Sequence, residues 1–342
     1  MLGMSVPPAT QSAPNPDASA SGLLRRLAAL LPDAGIFAGA GNGPSIESFA
    51  TQTDLPRLIS TKLLEPGRLR AHAVPPGEET PFAAFLDGTQ QSHVLHYVAR
   101  GVPIIRGTVG AVVRVRSDRR MSTWKHRVAT RLYVPRRLVP DAWNEAVGAL
   151  GVGVVDTSEP VSAETPLIEH PFALRDAAIH YVQADRETGE HRLGEQWCAA
   201  EGRPLFIDGG ISGNERLATN DCVVGVVKNH RTLYVEGEGL DVVFGLRAGE
   251  RTSVFEVTSP KRTTVASWYL RLRDPIGRDP MWGLVRVEIN YSHADTDSLV
   301  RRAGEASRRI LAEISPVALP DARWDRMVYG IRDCEEFLRS VM

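Results

Sequence analysis

The chain has 342 residues, of which 43% are hydrophobic, and its formal net charge at pH 7 is −1. This length allows one large or two modest domains with a substantial core. No apolar run is long enough to cross a bilayer and the N-terminus lacks the order of a signal peptide, so no membrane association is expected. The three cysteines are widely spaced, which favours neither a disulfide framework nor a zinc cluster and indicates a reducing cytoplasm.

Composition predicts three parts along the chain. Residues 1–22 are mainly Pro, Ser, Ala, Thr and Asn, which is typical of a disordered tail. Residues 23–80 predict an extension of helices and loops, with short helices at 23–31 and 55–64. Residues 81–342 contain most of the apolar runs and predict the main domain.

The pattern of the main domain predicts an α/β fold in which helices flank a mixed sheet. Three apolar runs, ending at Asp87 and spanning 104–117 and 127–134, have short connections that favour an antiparallel meander. A helix is expected at 140–150 and a loop at 151–166. Further strands are expected at 204–208, 221–228, 252–258, 265–273 and 284–289, and further helices at 172–200, 295–314 and 321–341.

Two stretches repeat one arrangement, an apolar strand followed by Asp and then Gly. They read Pro81-Phe-Ala-Ala-Phe-Leu-Asp87-Gly and Pro204-Leu-Phe-Ile-Asp208-Gly-Gly. If these buried strands lie side by side and parallel, both aspartates emerge at the same edge of the sheet. Two such carboxylates repel each other unless a cation lies between them, which predicts a divalent-metal site. The alternative is that each Asp-Gly is only a strand-ending turn.

A third acid lies in the segment 172–200. Steps of three and four residues connect Val182, Arg186, Glu190, Leu193 and Trp197. In a continuous helix, Glu190 therefore shares the apolar face, where an acid must be paired or must bind a metal. Thr188-Gly189 leaves a hairpin open as the alternative, and there Glu190 is an ordinary surface residue.

Positive charge is concentrated between residues 100 and 137, where eleven Lys or Arg stand against the single acid Asp118. Such a block is typical of a surface that follows a phosphate backbone. The candidate contacts are Arg114, Arg116, Arg119, Arg120, Lys125 and Arg127. Lys228 at a strand end is a further candidate phosphate contact. The alternatives are a solvated strand face that forms salt bridges and, for Lys228, a lysine in solvent.

Together these residues resemble the NurA family of nucleases. The motifs are Phe-Leu-Asp87-Gly-Thr, Phe-Ile-Asp208-Gly with the upstream Arg186-x-x-x-Glu190, Val-Val-Gly-Val-Val-Lys228, Trp268-Tyr-Leu-Arg271-Leu and Val285-Arg-Val-Glu288. The resemblance covers roughly residues 82–342. It depends on the order and spacing of the motifs, because none is specific by itself.

The resemblance implies an RNase H-like fold and a nuclease that cleaves DNA with Mn²⁺ or Mg²⁺. It also implies a homodimer that works with a hexameric HerA-type ATPase, either in repair of DNA ends or in defence against invading DNA. For this sequence, the resemblance implies that Asp87 and Asp208 are the metal ligands at the strand ends and that Glu190 is the metal-binding carboxylate on the helix. The family often closes with an Ala-His pair on its last helix. No histidine stands in that region here, and Asp325 is the candidate for the fourth position.

Two other classes of function stay open. The repeated strand-Asp-Gly loosely matches the phosphate loops of actin-type and hexokinase-type phosphotransferases, although those place one residue between Asp and Gly. A non-catalytic DNA-binding or assembly protein would keep the fold and the basic face without a complete catalytic site.

Overall fold

A computed structural model of the chain describes residues 19–34, 36, 56–77, 81–98, 101–117, 120–159, 169–260, 262–291, 295–314 and 328–342. Seven α-helices and thirteen β-strands form within these ranges. The helices are α1 (Ala20–Leu30), α2 (Asp141–Ala149), α3 (Pro171–Ala200), α4 (Glu215–Ala218), α5 (Glu238–Phe244), α6 (Thr296–Ala312) and α7 (Tyr329–Val341). The strands are β1 (Arg57–Leu58), β2 (Ala71–Ala73), β3 (Ala84–Val98), β4 (Val102–Ser117), β5 (Arg120–Val134), β6 (Gly153–Asp156), β7 (Leu205–Asp208), β8 (Val223–Val227), β9 (Thr232–Leu233), β10 (Glu250–Thr252), β11 (Phe255–Val257), β12 (Val265–Arg271) and β13 (Leu284–Asn290).

One mixed sheet organises the described residues. Its strand order is β2-β10-β12-β13-β8-β7-β3-β4-β5-β6, and β11 also pairs with β12. β3, β4 and β5 form an antiparallel meander, whereas β7 runs parallel to both of its neighbours, β3 and β8. The mixed α/β sheet, the meander and the parallel strands that the sequence predicts are therefore confirmed.

Alternation of side chains along the central strands divides the core into two layers. Phe85 and Phe206 pack on the side of α6 and α7. Leu86 and Ile207 face the opposite side, where they pack with Trp197 of α3. Each fully buried apolar side chain contributes about 1.5–3 kcal/mol, so these layers hold α3 and α7 on opposite faces of β3 and β7.

Helix α3 runs without a break from Pro171 to Ala200, so the hairpin alternative at Thr188-Gly189 is wrong. Gly189 weakens a helix interior by roughly 1 kcal/mol relative to alanine. This loss is outweighed because α3 packs against β4 and buries Leu193 and Trp197. Glu190 lies on the buried face, as its helical spacing predicts. No helix among the described residues combines the length and apolar character needed to cross a bilayer.

Some element predictions are wrong. The helix expected at 55–64 is absent from the described residues 56–64, because Arg57–Leu58 pairs instead with β9 as a short strand. The loop expected at 151–166 begins with β6, whose two valines add a parallel strand beside β5. The single strand expected at 252–258 is two strands, β10 and β11. α7 begins at Tyr329 rather than at residue 321, and residues 315–327 lie outside the described ranges.

The N-terminal parts contact the main domain. Residues 1–18 of the predicted tail lie outside the described ranges, and α1 begins at Ala20 with the Ser19 hydroxyl accepting the Gly22 N–H. β2, within the predicted extension 23–80, pairs with β10 of the main sheet. The extension therefore contributes a strand to the sheet of the main domain.

Two cysteines that look unrelated in the sequence are neighbours in the fold. The Sγ atoms of Cys198, near the end of α3, and Cys222, just before β8, are 3.6 Å apart, and both are free thiols. Their separation of 24 positions carries no pairing signal. The contact arises because α3 returns the chain to the start of β7, and β8 then begins beside it.

Candidate acidic site between two parallel strands

The candidate site lies where the short strand β7 ends against the long strand β3. Leu86 of β3 is the register partner of Ile207 of β7, so the next residues, Asp87 and Asp208, follow side by side on parallel strands. Neighbouring strands are about 4.8 Å apart. The predicted placement of the two aspartates on adjacent parallel strands is therefore confirmed.

Asp87 does not end its strand, which corrects the prediction of a turn at Asp87-Gly88. β3 continues through both residues to Val98, because β4 pairs with it along this whole length. Only Asp208 stands at a strand end. It is followed by Gly209, whose φ of 140° favours glycine.

The loop after Asp208 is fixed by a buried glutamate. One carboxylate oxygen of Glu288 accepts the N–H groups of Ile211 and Ser212, at 2.7 and 3.3 Å. Arg286 holds the other oxygen at 2.6 Å. A Cβ on Gly210 would lie only 3.1 Å from this carboxylate. The Val285-Arg-Val-Glu288 motif thus positions the backbone that leaves Asp208.

Lys228 is the counter-ion of Asp208. Its Nζ donates to Asp208 Oδ2 at 2.8 Å, and the two side chains are only 16% and 19% exposed. β8 delivers Lys228 to this place because Val226 is the register partner of Asp208. The alternative of a solvated strand-end lysine is therefore wrong.

Asp87 is buried among charges. The side chain accepts the Gly88 N–H at 2.8 Å, and it forms no ion pair with any described residue. Burial and the charge of Asp208 raise its pKa well above the usual range, Lys228 lowers it, and Glu190 and Glu335 raise it further. A carboxyl group in this position is stable when it is protonated or when an additional cation lies beside it.

Glu190 lies over Gly88. A Cβ on Gly88 would fall 2.0 Å from Glu190 Oε1, so the space that the glutamate fills exists only because residue 88 is glycine. Arg186 Nη1 donates to Oε1 of Glu190 from one helical turn away. Burial raises the pKa of Glu190 to about 7 because it outweighs this ion pair.

The acids approach one another from two faces of the sheet. By strand alternation, Asp87 and Asp208 share the side of Phe85 and Phe206, which is the α7 side, whereas Glu190 comes from α3. Within the described ranges, no three Asp, Glu, His or Cys side chains are arranged to hold one metal ion. The donor set nevertheless suits a hard divalent cation, because it offers carboxylate oxygens and one of them is buried without an ion pair in the described chain.

Glu335 is a charged neighbour of Asp87 that sequence reasoning missed. It follows Cys334 on α7, and the Cys334 thiol lies 3.5 Å from the Phe85 carbonyl oxygen on the strand that carries Asp87. The signal was the spacing of Ile331, Cys334 and Leu338, which predicts a buried stripe with Glu335 at its border. Asp325, the predicted fourth residue, lies outside the described ranges.

The predicted basic face divides into two groups. Arg114 pairs with Asp333 at 2.5 Å and Arg116 with Glu313 at 2.5 Å, so both are held by acids near the C-terminus. For these two the salt-bridge alternative is correct, because the C-terminal segments cover that side of β4. Arg120, Lys125 and Arg127 are exposed on β5, and Arg119 lies outside the described ranges.

No protein-family model and no curated protein matches the sequence. Among solved structures, the chain is similar to the NurA nuclease from Sulfolobus solfataricus, with a TM-score of 0.43 and 12% identity. The likeness covers 80% of this chain and 86% of that one. This is the family that the sequence motifs resemble.

The raised pKa of Glu190 predicts a specific dependence of stability on pH. The folded chain keeps a proton up to about pH 7 that the unfolded chain releases near pH 4.5. Stability therefore falls as the pH rises through this window, by up to about 3 kcal/mol. Glu190→Gln removes the titration. Urea unfolding in EDTA at pH 5 and pH 8 is expected to show the variant gaining about 3 kcal/mol relative to the native chain.

Glu336→Gln is the matched control, because Glu336 is exposed on α7 and the substitution likewise replaces a carboxylate by an amide. It is expected to follow the native pH dependence. An identical pH dependence for Glu190→Gln and the native chain would show that Glu190 is not a buried acid.

Replacement of Gly88 by alanine is expected to displace the Glu190 carboxylate. The new methyl group would occupy its place, and the flexible glutamate can swing outward while β3 keeps its pairing. Once solvated, Glu190 titrates near its usual pKa, so the same unfolding measurements should lose most of the pH dependence. Gly148→Ala, where a Cβ meets nothing within 4 Å, is the control and should leave it unchanged. A crystal structure of Gly88→Ala with Glu190 unmoved would contradict this account.

Proposed function

We propose that the chain is a metal-dependent DNA nuclease that hydrolyses phosphodiester bonds at Asp87, Asp208 and Glu190. The main support is the placement of Asp87 beside Asp208 on neighbouring parallel strands, with Glu190 buried over Gly88. Burying several acids together opposes folding. Clusters of this kind are typical of functional sites, where charge is needed for binding or chemistry.

The carboxylates of Asp87 and Asp208 would hold Mn²⁺ or Mg²⁺, and the Glu190 carboxylate would have to move towards them to join as a third ligand, because no three acids of the described residues are arranged to hold one ion as they stand. When bound, such a cation supplies stabilisation of charge on phosphate oxygens and makes a water molecule more acidic. Lys228 and Arg186 neutralise Asp208 and Glu190 in the structure, and both would have to yield to an incoming cation. Lys228 could then contact a phosphate as a point charge. Glu335 is proposed to complete the acidic surroundings, and Asp325, which lies outside the described ranges, stays a prediction for the fourth position.

The proposed partners, a second copy of the chain and a hexameric HerA-type ATPase, rest on the resemblance of the motifs to the NurA family. A role in processing of DNA ends or in defence rests on the same resemblance. The exposed cations of β5, Arg120, Lys125 and Arg127, would contact the DNA backbone and give little sequence preference.

One alternative function has an observation of its own. The ion pairs of Lys228 with Asp208 and of Arg186 with Glu190 neutralise two acids without a metal, as a non-catalytic DNA-binding protein of this fold would require. The phosphotransferase alternative loses its support. It needs a phosphate loop after Asp87, and Asp87-Gly88 lies inside β3.

Cleavage of labelled DNA tests the proposed function. The purified chain is incubated with single-stranded and double-stranded DNA in Mn²⁺ or Mg²⁺. Asp87→Asn and Asp208→Asn are expected to lower the cleavage rate by about 100-fold or more, because each removes an anionic ligand whose loss is worth several kcal/mol. Asp141→Asn, an exposed acid at the start of α2, is the control and should retain the native rate.

Equal cleavage by Asp87→Asn and the native chain would exclude the proposed site. Binding of DNA by the native chain without cleavage in either metal would favour the non-catalytic alternative.

A further inference from the structure

A narrow cleft lies between α3 and the strands β4 and β5, beside the acidic site. Small residues of the strands, among them Ala111 and Ala129, form one wall, and Thr188 and Gly189 of α3 form the other. The cleft holds about 60 Å³, close to the share of two water molecules in the liquid.

Four arginines line this cleft against a single acid. Arg127 and Arg131 come from β5, and Arg186 and Arg192 come from α3. The acid is Asp185, which is already held by Arg131 at 2.6 Å and by the Tyr133 hydroxyl at 2.7 Å. The lining therefore carries a clear excess of positive charge.

Two of the four arginines have no compensating group among the described residues. Arg127 and Arg192 are exposed, and neither forms a hydrogen bond or an ion pair with another described residue. Arg186 is engaged with Glu190 and with Gln90, whose Oε1 lies 3.2 Å from Arg186 Nε. Like charges gathered at one cleft repel one another, and an anion between them would relieve that repulsion.

We propose that this cleft binds a phosphate group of the DNA strand that enters the acidic site. Guanidinium groups match the geometry of phosphate oxygens with paired hydrogen bonds. The cleft has no room for a nucleobase, so it selects the backbone and not the sequence. The identity of the anion as DNA rests on the proposed function.

The position of the cleft fits one continuous strand. Arg186 both lines the cleft and donates to Glu190, four residues further along α3. Four helical residues span about 6 Å along the axis. A strand whose backbone reaches Glu190 can therefore place a neighbouring phosphate between Arg127 and Arg192.

The double variant Arg127→Gln/Arg192→Gln of the full chain tests the proposal. Binding of a labelled single-stranded oligonucleotide is measured by fluorescence anisotropy in EDTA, which prevents metal-dependent cleavage, between 50 and 200 mM salt. The Kd is expected to rise about tenfold or more. The slope of log K against log salt should fall by about 1.4, because two arginines no longer release counter-ions from a single strand.

The matched control is Arg247→Gln/Arg278→Gln, which removes the same charge from exposed positions away from the cleft. It is expected to bind within about twofold of the native chain. Native affinity for the cleft variant, or an equal loss in both double variants, would overturn the proposal.

The two proposals fail separately. If cleavage requires Asp87 but the cleft variant binds DNA as the native chain does, the proposed nuclease function stands and the proposed phosphate site in the cleft is wrong. If only the cleft variant loses DNA binding and the native chain does not cleave DNA, the phosphate site in the cleft stands and the chain is a non-catalytic DNA-binding protein.

Discussion

The parallel pairing of β3 with β7 is the constraint on which the site depends. It places the buried Asp87 beside the half-buried Asp208, where like charges repel and water screens them only in part. Lys228 neutralises Asp208, because its Nζ lies 2.8 Å from Asp208 Oδ2. Asp87 has no ion pair with any described residue. This local excess of negative charge is the feature that a divalent cation would complete.

The elements around this pair each serve to hold it. Glu288 anchors the loop that leaves Asp208, and Gly88 provides the space into which Glu190 fits. α3 supplies Glu190 together with its counter-ion Arg186, which also lines the arginine cleft. The acids and the arginines are thus joined through one side chain, so a strand bound in the cleft would be positioned relative to the acids.

Local pattern was sufficient for part of this site. The apolar runs before Asp87 and Asp208 predict adjacent parallel strands, and helical spacing predicts a buried Glu190; both features are present. Whether Asp87 ends its strand depends on pairing with β4 along its full length, which a run of six apolar residues does not reveal. The alternation of Arg114 and Arg116 with valines predicted a solvent-exposed basic face of β4. Asp333 and Glu313, from distant segments, pair with these arginines and cover that face.

Contacts between distant positions account for what the sequence did not predict. Lys228 with Asp208, Cys198 with Cys222, and Glu335 beside Asp87 all join residues whose spacing carries no local period. The arginine cleft belongs to this group as well. Half of its cations come from β5 and half from α3, so no single stretch of sequence shows them together.

Binding of Mn²⁺ tests the central claim most directly. Electron paramagnetic resonance of the native chain titrated with Mn²⁺ at neutral pH is expected to show a bound ion that is lost in both Asp87→Asn and Asp208→Asn and kept in Asp141→Asn. Unchanged binding in the two aspartate variants, or no binding by the native chain at millimolar Mn²⁺, would show that these carboxylates do not share a cation.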